Sequence, residues 1–245
     1  MSVRKIDQKE AEDFFIVINQ YCEQNDGNRW PHATIVLSAV DSNLEGPTSH
    51  NVYYNESRGR HAESFFIDDL QTLLQKEGVT EITATLVQNY SPCNANHNDI
   101  ERCADKILKF MKDNIEKKNV SFSLTIQFAN FYKCYYKKED EKWKKSPHIN
   151  GLVKLRKNGV ALQLLKGEEG WNDFFNKFVD VSDEDKTRLR ERAALRIDRE
   201  NVDEIILNYV ETKASAEAKV EEHVAEANVQ DVTDKLEKMT TKDEW

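Results

Sequence analysis

A histidine, a glutamate and two cysteines stand at a spacing that suits metal-assisted hydrolysis. His61-x-Glu63 is followed, after 28 residues, by Pro92-Cys93, and Cys103 comes ten positions after Cys93. One imidazole and two thiolates form a tetrahedral zinc site with an open position, where the pKa of a bound water falls toward ~7. Glu63 is close enough in sequence to reach that water without binding the metal. The pattern predicts a Zn²⁺ centre with Glu63 as catalytic proton carrier.

Hydrophobic periodicity predicts the elements that must position these residues. A helix is predicted to begin directly after His61, and Cys93 is predicted to follow a strand. Cys103 is predicted to lie about one turn into a helix capped by Asn98. Strands are predicted at residues 33–40, 51–54, 81–87, 121–128 and 160–165, and helices at residues 10–21, 62–76, 98–117, 149–157, 171–179 and 183–210. The order predicts an α/β fold with a central five-stranded mixed sheet between about six helices.

The third metal ligand has two candidates. His97 lies four residues after Cys93, and Cys103 lies ten residues after it. The predicted helix turns Cys103 toward the sheet, on the same side as the apolar Ile107, and therefore toward His61. The predicted ligands are His61, Cys93 and Cys103, with His97 as the alternative.

Composition excludes several classes of protein. The 245 residues carry 44 acidic and 35 basic side chains, a net charge of -9, so the whole chain is not a basic nucleic-acid wrapper. Four cysteines are too few for a disulfide scaffold. No apolar run approaches the ~18–20 residues of a membrane helix, and the N-terminus lacks a signal peptide. We therefore expect no membrane association and a cytoplasmic or nuclear protein.

The last segment differs in composition from the rest. Residues 211–245 contain ten Asp or Glu and five Lys, with many Ala and no Gly or Pro. Such a segment forms helix readily but buries little apolar surface. The expected organisation is a catalytic domain at residues 1–210 and an acidic C-terminal tail at residues 211–245. The tail is predicted to be helical or disordered and is a candidate for binding an unknown protein partner.

Several blocks of sequence resemble the AID/APOBEC family of polynucleotide cytosine deaminases, over roughly residues 10–210. The His-x-Glu and Pro-Cys elements are the signature of zinc deaminases. The other blocks occur in the family's order. The matching blocks are Gly59-Arg-His-Ala-Glu-Ser-Phe-Phe66, Asn89-Tyr-Ser-Pro-Cys93, Cys103-Ala-Asp-Lys-Ile-Leu108, Thr125-Ile-Gln-Phe-Ala-Asn-Phe-Tyr132, Gly151-Leu-x-x-Leu-Arg-x-Asn-Gly-Val160 and Trp171-Asn-x-Phe-x-x-Phe-Val179. The nine residues between the two cysteines exceed the family's usual two to four.

This resemblance implies a cytidine-deaminase-like fold and a zinc-dependent hydrolase that acts on the C–N bond of a cyclic amidine. The implied reaction converts cytosine to uracil in single-stranded DNA or RNA. It also implies that Tyr90, Ser91 and Tyr132 border the base and that Asn51 contacts the nucleotide. The residues add support, because nine Lys or Arg occur between residues 132 and 157 against three acids. Aromatic and basic side chains together are typical of single-strand binding.

Two alternative functions remain open at this stage. A deaminase of free cytidine or deoxycytidine nucleosides or nucleotides would use the same chemistry, although the sequence has no glycine-rich phosphate loop. A catalytically silent relative that only binds nucleic acid is the other alternative. Glu63 argues against it, because a silent relative has no chemical need for this carboxylate.

Overall fold

The computed structural model describes residues 5–12, 14, 35–44, 48–55, 60–94, 102–131, 141–194 and 197–240. Its centre is a five-stranded mixed sheet in the order β2-β1-β3-β4-β5. The first strand is antiparallel to its two neighbours, whereas β3, β4 and β5 are parallel. The strands are β1 (Ile35–Ser42), β2 (Ser49–Tyr54), β3 (Glu81–Tyr90), β4 (Ser121–Asn130) and β5 (Ala161–Leu164). The predicted α/β fold with a mixed sheet is confirmed.

Helices connect and cover the strands. A π-helical turn, Met111–Glu116, extends the second helix, and a 3₁₀ turn, Glu141–Lys145, precedes the third. A short helical stretch also occurs at residues 8–12. The main helices are α1 (Ala62–Leu73), α2 (Cys103–Phe110), α3 (Pro147–Lys157), α4 (Gly167–Phe178), α5 (Asp183–Ala194) and α6 (Ile197–Thr240).

Two apolar cores lie on the two faces of the sheet, as expected for helices packed on both sides. Side chains of α1, α2, α3 and α6 form the first core with alternate residues of the strands, and α4 and α5 form the second with the N-terminal residues. Buried members of the first core include Phe66, Leu70, Ile107, Leu152, Ile206 and Val210. Buried members of the second include Phe14, Trp171, Phe174, Phe175 and Leu189. The first core lies directly beneath the predicted metal ligands.

Two predicted helices differ from the structure. The second begins at Cys103 with Arg102 as its N-cap, so the prediction that Asn98 caps it is wrong. The residues before Arg102 are mostly Asn, Asp and His, which favour helix less than the apolar run from Cys103 onward. The predicted helix at residues 183–210 is two helices, α5 and α6, with residues 195 and 196 outside the described part of the chain.

The last helix continues well past residue 210. Val210 and Ala214 are buried against the first core, so the predicted boundary at residue 210 falls inside α6. Arg156 and Lys157 of α3 form ion pairs with Glu211 and Glu221 of α6, each at 2.5 Å. Side chains described after Glu221 are all exposed. The helix therefore leaves the surface of the domain near this residue.

Candidate metal centre

Three of the predicted metal ligands converge at the carboxyl end of β3. His61 directly precedes α1, Cys103 is the first residue of α2, and Cys93 lies in the turn after β3. The His61 Nδ1 atom lies 3.1 Å from Cys103 Sγ and 3.3 Å from Cys93 Sγ, and the two sulfurs are 3.5 Å apart. Both cysteines are buried, and neither forms a disulfide bond. The alternative ligand, His97, lies outside the described residues.

The donor set fits a zinc ion. Tetrahedral zinc with bonds of about 2.3 Å to sulfur and about 2.0 Å to nitrogen holds its ligand atoms roughly 3.5–3.8 Å apart. The observed separations are only a few tenths of an ångström shorter. One imidazole and two thiols also match the soft donors that zinc prefers, and three protein ligands leave a fourth position open. Among the described residues, this is the group of His, Cys, Asp and Glu side chains whose geometry suits a metal.

The start of α1 is fixed by an asparagine that the sequence analysis did not single out. The side-chain oxygen of Asn55 accepts a hydrogen bond from the backbone N–H of Ala62 at 2.8 Å. This N–H is one of the unpaired donors at a helix start, and Asn is well suited to satisfy it. His61 and Glu63 flank Ala62, so the bond orients both. An Asn a few residues before a predicted helix was the available signal.

Glu63 lies in the first turn of α1 and is almost completely buried, with 3 % of its surface exposed. Its Oε2 atom is buried and has no hydrogen-bond partner among the described residues. Burial, with a smaller contribution from the neighbouring Cys93, raises the pKa of this carboxyl to about 7, although His61 and Cys103 oppose the shift. A carboxyl of this pKa exchanges protons readily at neutral pH. Its neighbours are the three converging ligands rather than a salt-bridge partner.

The two thiols differ in acidity. The hydrogen bond with the Cys103 thiol lowers the pKa of Cys93, while burial raises the pKa of Cys103. Cys93 is therefore the more acidic thiol of the pair, next to the imidazole of His61. A thiolate is the form that binds metal, so the lowered pKa favours Cys93 as a ligand.

Helix α3 holds the turn that carries Cys93. The Asn94 backbone N–H donates to the Nδ1 atom of His148 at 3.0 Å, and the Ala104 N–H donates to the Cys93 carbonyl at 3.1 Å. Polar neighbours in the sequence predict a solvated side chain for His148, and this prediction is wrong, since only 5 % of its surface is exposed. The fold places the ring against the turn after β3. Local sequence carries no signal for such a long-range contact.

The predicted substrate residues lie in different surroundings. Tyr90 and Ser91 are buried at the end of β3, and the Ser91 N–H donates to the carbonyl of Asn130 at 2.8 Å. They therefore lie beside the metal cluster. Asn51 donates to Asp69 at 3.0 Å, about two turns, or roughly 11 Å, along α1 from its start. Tyr132 lies outside the described residues.

Part of the basic stretch at residues 132–157 is already paired. Lys154 contacts Asp105 at 3.1 Å, and Arg156 and Lys157 pair with acids of α6. The Lys144 ammonium lies 5.5 Å from the ring centre of Tyr209. Lys142 and Lys145 are exposed. The helix α6 thus neutralises much of the basic surface of α3, and Lys133, Lys137 and Lys138 lie outside the described residues.

Comparison with known proteins decides the family. Residues 31–191 match the family described as APOBEC3, cytosine deaminase domain. This is about two thirds of the chain, and it includes His61, Glu63, Cys93 and Cys103. The chain belongs to this family. The predicted relationship to AID/APOBEC cytosine deaminases is therefore confirmed.

Other comparisons with this deaminase domain are weaker. No curated protein matches the chain significantly. A structure of Aspergillus oryzae Rib2 deaminase, a C-terminal deletion mutant in complex with DARIPP, is similar at 14 % identity and a TM-score of 0.36, covering 77 % of this chain and 97 % of that one. A second structure of the same deletion mutant gives 13 % identity, a TM-score of 0.35 and coverages of 75 % and 96 %. Values this low leave the family match as the basis of the assignment.

The deaminase family and the geometry agree on the kind of chemistry. A cytosine deaminase domain replaces an exocyclic amine by oxygen, which needs an activated water and a proton carrier, and the cluster and Glu63 are suited to these tasks. The described helices include none that is both long and apolar enough to span a bilayer.

Proposed function

We propose that the chain is a zinc-dependent deaminase that hydrolyses cytosine to uracil in single-stranded DNA or RNA. The observation that supports it best is the convergence of His61, Cys93 and Cys103 within 4.8 Å of one another, next to the buried Glu63. In this proposal His61, Cys93 and Cys103 hold the zinc. When bound there, zinc supplies Lewis-acid activation of a water molecule.

Glu63 moves the protons of the reaction. Its carboxylate accepts a proton from the attacking water, whose oxygen forms a bond to C4 of cytosine. The carboxyl delivers this proton to N3, then takes the remaining proton from the new oxygen at C4 and passes it to the exocyclic amine, so that the C4–N bond breaks and ammonia leaves. The products are uracil and ammonia, with one water consumed. Because Glu63 is buried and lies at the start of α1, it acts from one side of the base without competing for the metal.

The cytosine must be unpaired, since C4 is inaccessible inside a duplex. Tyr90 and Ser91, at the end of β3, are proposed to border the base together with Tyr132. Tyr132 follows the end of β4, the strand that pairs with β3 at Tyr90 and Asn130. Contact of Asn51 with the nucleotide remains a prediction, because its described hydrogen bond is to Asp69.

Two features support a polynucleotide rather than a free nucleoside. The family match is to a cytosine deaminase domain that the sequence blocks relate to polynucleotide deaminases. The sequence that follows β4 also contains aromatic and basic residues, which are typical of single-strand binding. Because Lys154, Arg156 and Lys157 are paired with acids, Lys133, Lys137 and Lys138 are the proposed contacts to phosphate. Such a substrate implies action in the cytoplasm or the nucleus.

A direct test compares an oligonucleotide that contains one labelled cytosine with free cytidine, using the zinc-loaded chain. We expect uracil in the oligonucleotide and much slower conversion of cytidine. Glu63→Gln should lower the rate by about 10²–10⁴-fold while one zinc per chain remains bound. Glu116→Gln changes an exposed glutamate in the same way and should leave the rate unchanged. Preference for free cytidine would instead assign a nucleoside deaminase.

The phosphate contacts have their own test. Replacing Lys133, Lys137 and Lys138 by Gln should weaken oligonucleotide binding and reduce the slope of log affinity against log salt by about two. Replacing the exposed Lys76, Lys112 and Lys219 by Gln makes the same change of charge elsewhere. This control should alter the slope little. Equal slopes in the two triple variants would show that the segment after β4 does not contact the backbone.

A further inference from the structure

We propose that His148 is a positioning residue for Cys93, which it acts on through the backbone of Asn94, and this role rests on the metal centre proposed above. The sulfur of Cys93 has to point at the same space as His61 and Cys103. Its direction depends on the backbone of the turn after β3, since the side chain has one rotatable bond to its sulfur. The residues that hold this turn therefore decide how accurately the sulfur of Cys93 is placed.

The separation of the two cysteines creates the need for such a residue. In sites with two to four residues between the cysteines, one short turn carries both sulfurs, so the position of each sulfur restricts the position of the other. Here nine residues intervene between Cys93 and Cys103. The two ends of this segment are joined by a hydrogen bond of 3.1 Å, which the Ala104 N–H donates to the Cys93 carbonyl. That bond holds the C=O of the Cys93–Asn94 peptide, and the N–H of the same peptide needs a second contact.

His148 supplies the second contact. Its Nδ1 atom accepts the hydrogen bond from the N–H of Asn94 at 3.0 Å. Both residues are buried, with 5 % and 7 % of their surfaces exposed, so no solvent substitutes for the bond. An accepting Nδ1 means that the neutral ring carries its proton on Nε2. Loss of the acceptor would leave a buried N–H unpaired next to a metal ligand.

The ring is held by a rigid part of the fold. Ser146 is the N-cap of α3, and its side chain accepts from the backbone N–H of His148 at 3.3 Å. Pro147 occupies the first turn, where its fixed backbone angle suits a helix start. The next turns of the helix contribute Ile149 and Leu152 to the first core, both fully buried. The position of His148 is thus determined by the core rather than by the segment between Cys93 and Cys103.

Gly151 of α3 also packs closely against the turn that carries Cys93. A Cβ atom at this position would lie 2.5 Å from Cβ of Asn94 and 2.7 Å from its Cγ. The absence of a side chain lets α3 approach Asn94 directly. Asn94 therefore donates a hydrogen bond to His148 in the first turn of α3 and packs against Gly151 in the second turn. Together these contacts do for Cys93 what a short spacing between the cysteines does elsewhere.

The role of His148 is tested by comparing His148→Asn with His148→Leu in the full chain. The two replacements have nearly the same shape, but only Asn keeps an acceptor near the position of Nδ1. Zinc affinity is measured by competition with a chromogenic chelator, and Co²⁺ in place of zinc reports thiolate coordination through its sulfur-to-cobalt absorption. We expect the Leu variant to bind zinc roughly 10–100-fold more weakly and to lose part of that absorption. The Asn variant should stay within about threefold of the parent chain.

Ser182→Ala separates this role from a general loss of stability. It removes the side chain that accepts from the Asp185 N–H at the start of α5, and it should lower thermal stability yet leave zinc affinity unchanged. A parent chain that binds no zinc would overturn the metal centre and this role with it. A parent that binds zinc, together with a Leu variant that binds it equally tightly, would overturn the role of His148 alone. If the Leu variant does not fold, a ¹⁵N–¹⁵N coupling across the Asn94–His148 hydrogen bond decides, and its absence overturns the proposal.

Discussion

The metal cluster and the far end of α6 are stabilised in opposite ways. His61, Cys93 and Cys103 come from three separate places in the sequence and are held by buried hydrogen bonds from still others. The end of α6 is one continuous helix whose described side chains after Glu221 are exposed. Among the side-chain contacts that the structure describes, the last between α6 and the domain is the ion pair of Lys157 with Glu221.

This difference shows where the fold has to place atoms accurately. Ligand atoms must lie within a few tenths of an ångström of their places, and buried, mutually dependent contacts provide that. A helix that projects from the domain needs only favourable helix residues, and Ala, Glu and Lys supply them. Changes near the cluster should therefore have large effects, and changes along α6 small ones.

Loss of a metal ligand is expected to have the largest effect on stability. Cys103→Ala should remove zinc from the chain, and with it the stabilisation by bound metal, about 4 kcal/mol at a thousandfold excess over Kd. For a chain of this size, that lowers Tm by roughly 8–16 °C. Metal analysis and thermal unfolding measure both. His97→Ala should keep the zinc and the Tm, and the reverse pattern would make His97 the third ligand.

Gly151→Ala should have the next largest effect. The new Cβ would lie 2.5 Å from Asn94, so the turn after Cys93 has to move, at a cost of about 1–3 kcal/mol. Gly170 in α4 is the matched control, because a Cβ there meets no atom within 4 Å. Gly170→Ala should be neutral or stabilise the chain by up to about 1 kcal/mol. Equal unfolding free energies for the two variants would argue against the close packing of α3 on Asn94.

Asn55→Ala tests the start of α1 and should cost about 1 kcal/mol, because the Ala62 N–H loses its acceptor. Deaminase activity should fall with it, since His61 and Glu63 flank that peptide. Asn55→Asp keeps an acceptor and adds a negative charge at the helix start, and should restore stability. Urea unfolding measures the free energies. An Asp variant as unstable as the Ala variant would contradict the capping role.

Glu221→Gln should have the smallest effect. It removes the ion pair with Lys157, and Glu221 is two-thirds exposed, so the change should be at most about 0.5 kcal/mol. Thermal unfolding at low and high salt measures it, because screening weakens the pair in the parent chain but not in the variant. A loss as large as that of Gly151→Ala would mean that the end of α6 is as closely integrated as the metal cluster.

Local signals in the sequence predicted much of the fold. Periodicity located the five strands and most helices. Gly78 and Gly159 follow shortly after two of these helices, and both have positive φ, 83° and 85°, which glycine adopts at little cost. His61, Glu63 and Cys93 were predicted from residue type and spacing. Spacing left both His97 and Cys103 open, and the predicted helix favoured Cys103.

Contacts between distant segments could not be predicted. The sequence around His148 is polar, and nothing in it indicates that β3 ends against this ring. The start of α2 was predicted five residues early, because Asn98 is a good cap by type, whereas the apolar face begins only at Cys103. Likewise, the pairing of Arg156 with Glu211 depends on how α6 crosses α3, which no local pattern reports.

The length of α6 has a hydrodynamic consequence. Its 44 residues span about 66 Å, of which roughly 28 Å lies beyond Glu221. A compact chain of 245 residues has a radius of gyration of about 18 Å, so the helix is longer than the roughly 46 Å diameter of a sphere with that radius of gyration. The molecule therefore tumbles as an elongated body rather than as a sphere. In gel filtration a single chain will elute earlier than its mass of 28.5 kDa implies, and elution position alone will overstate its size.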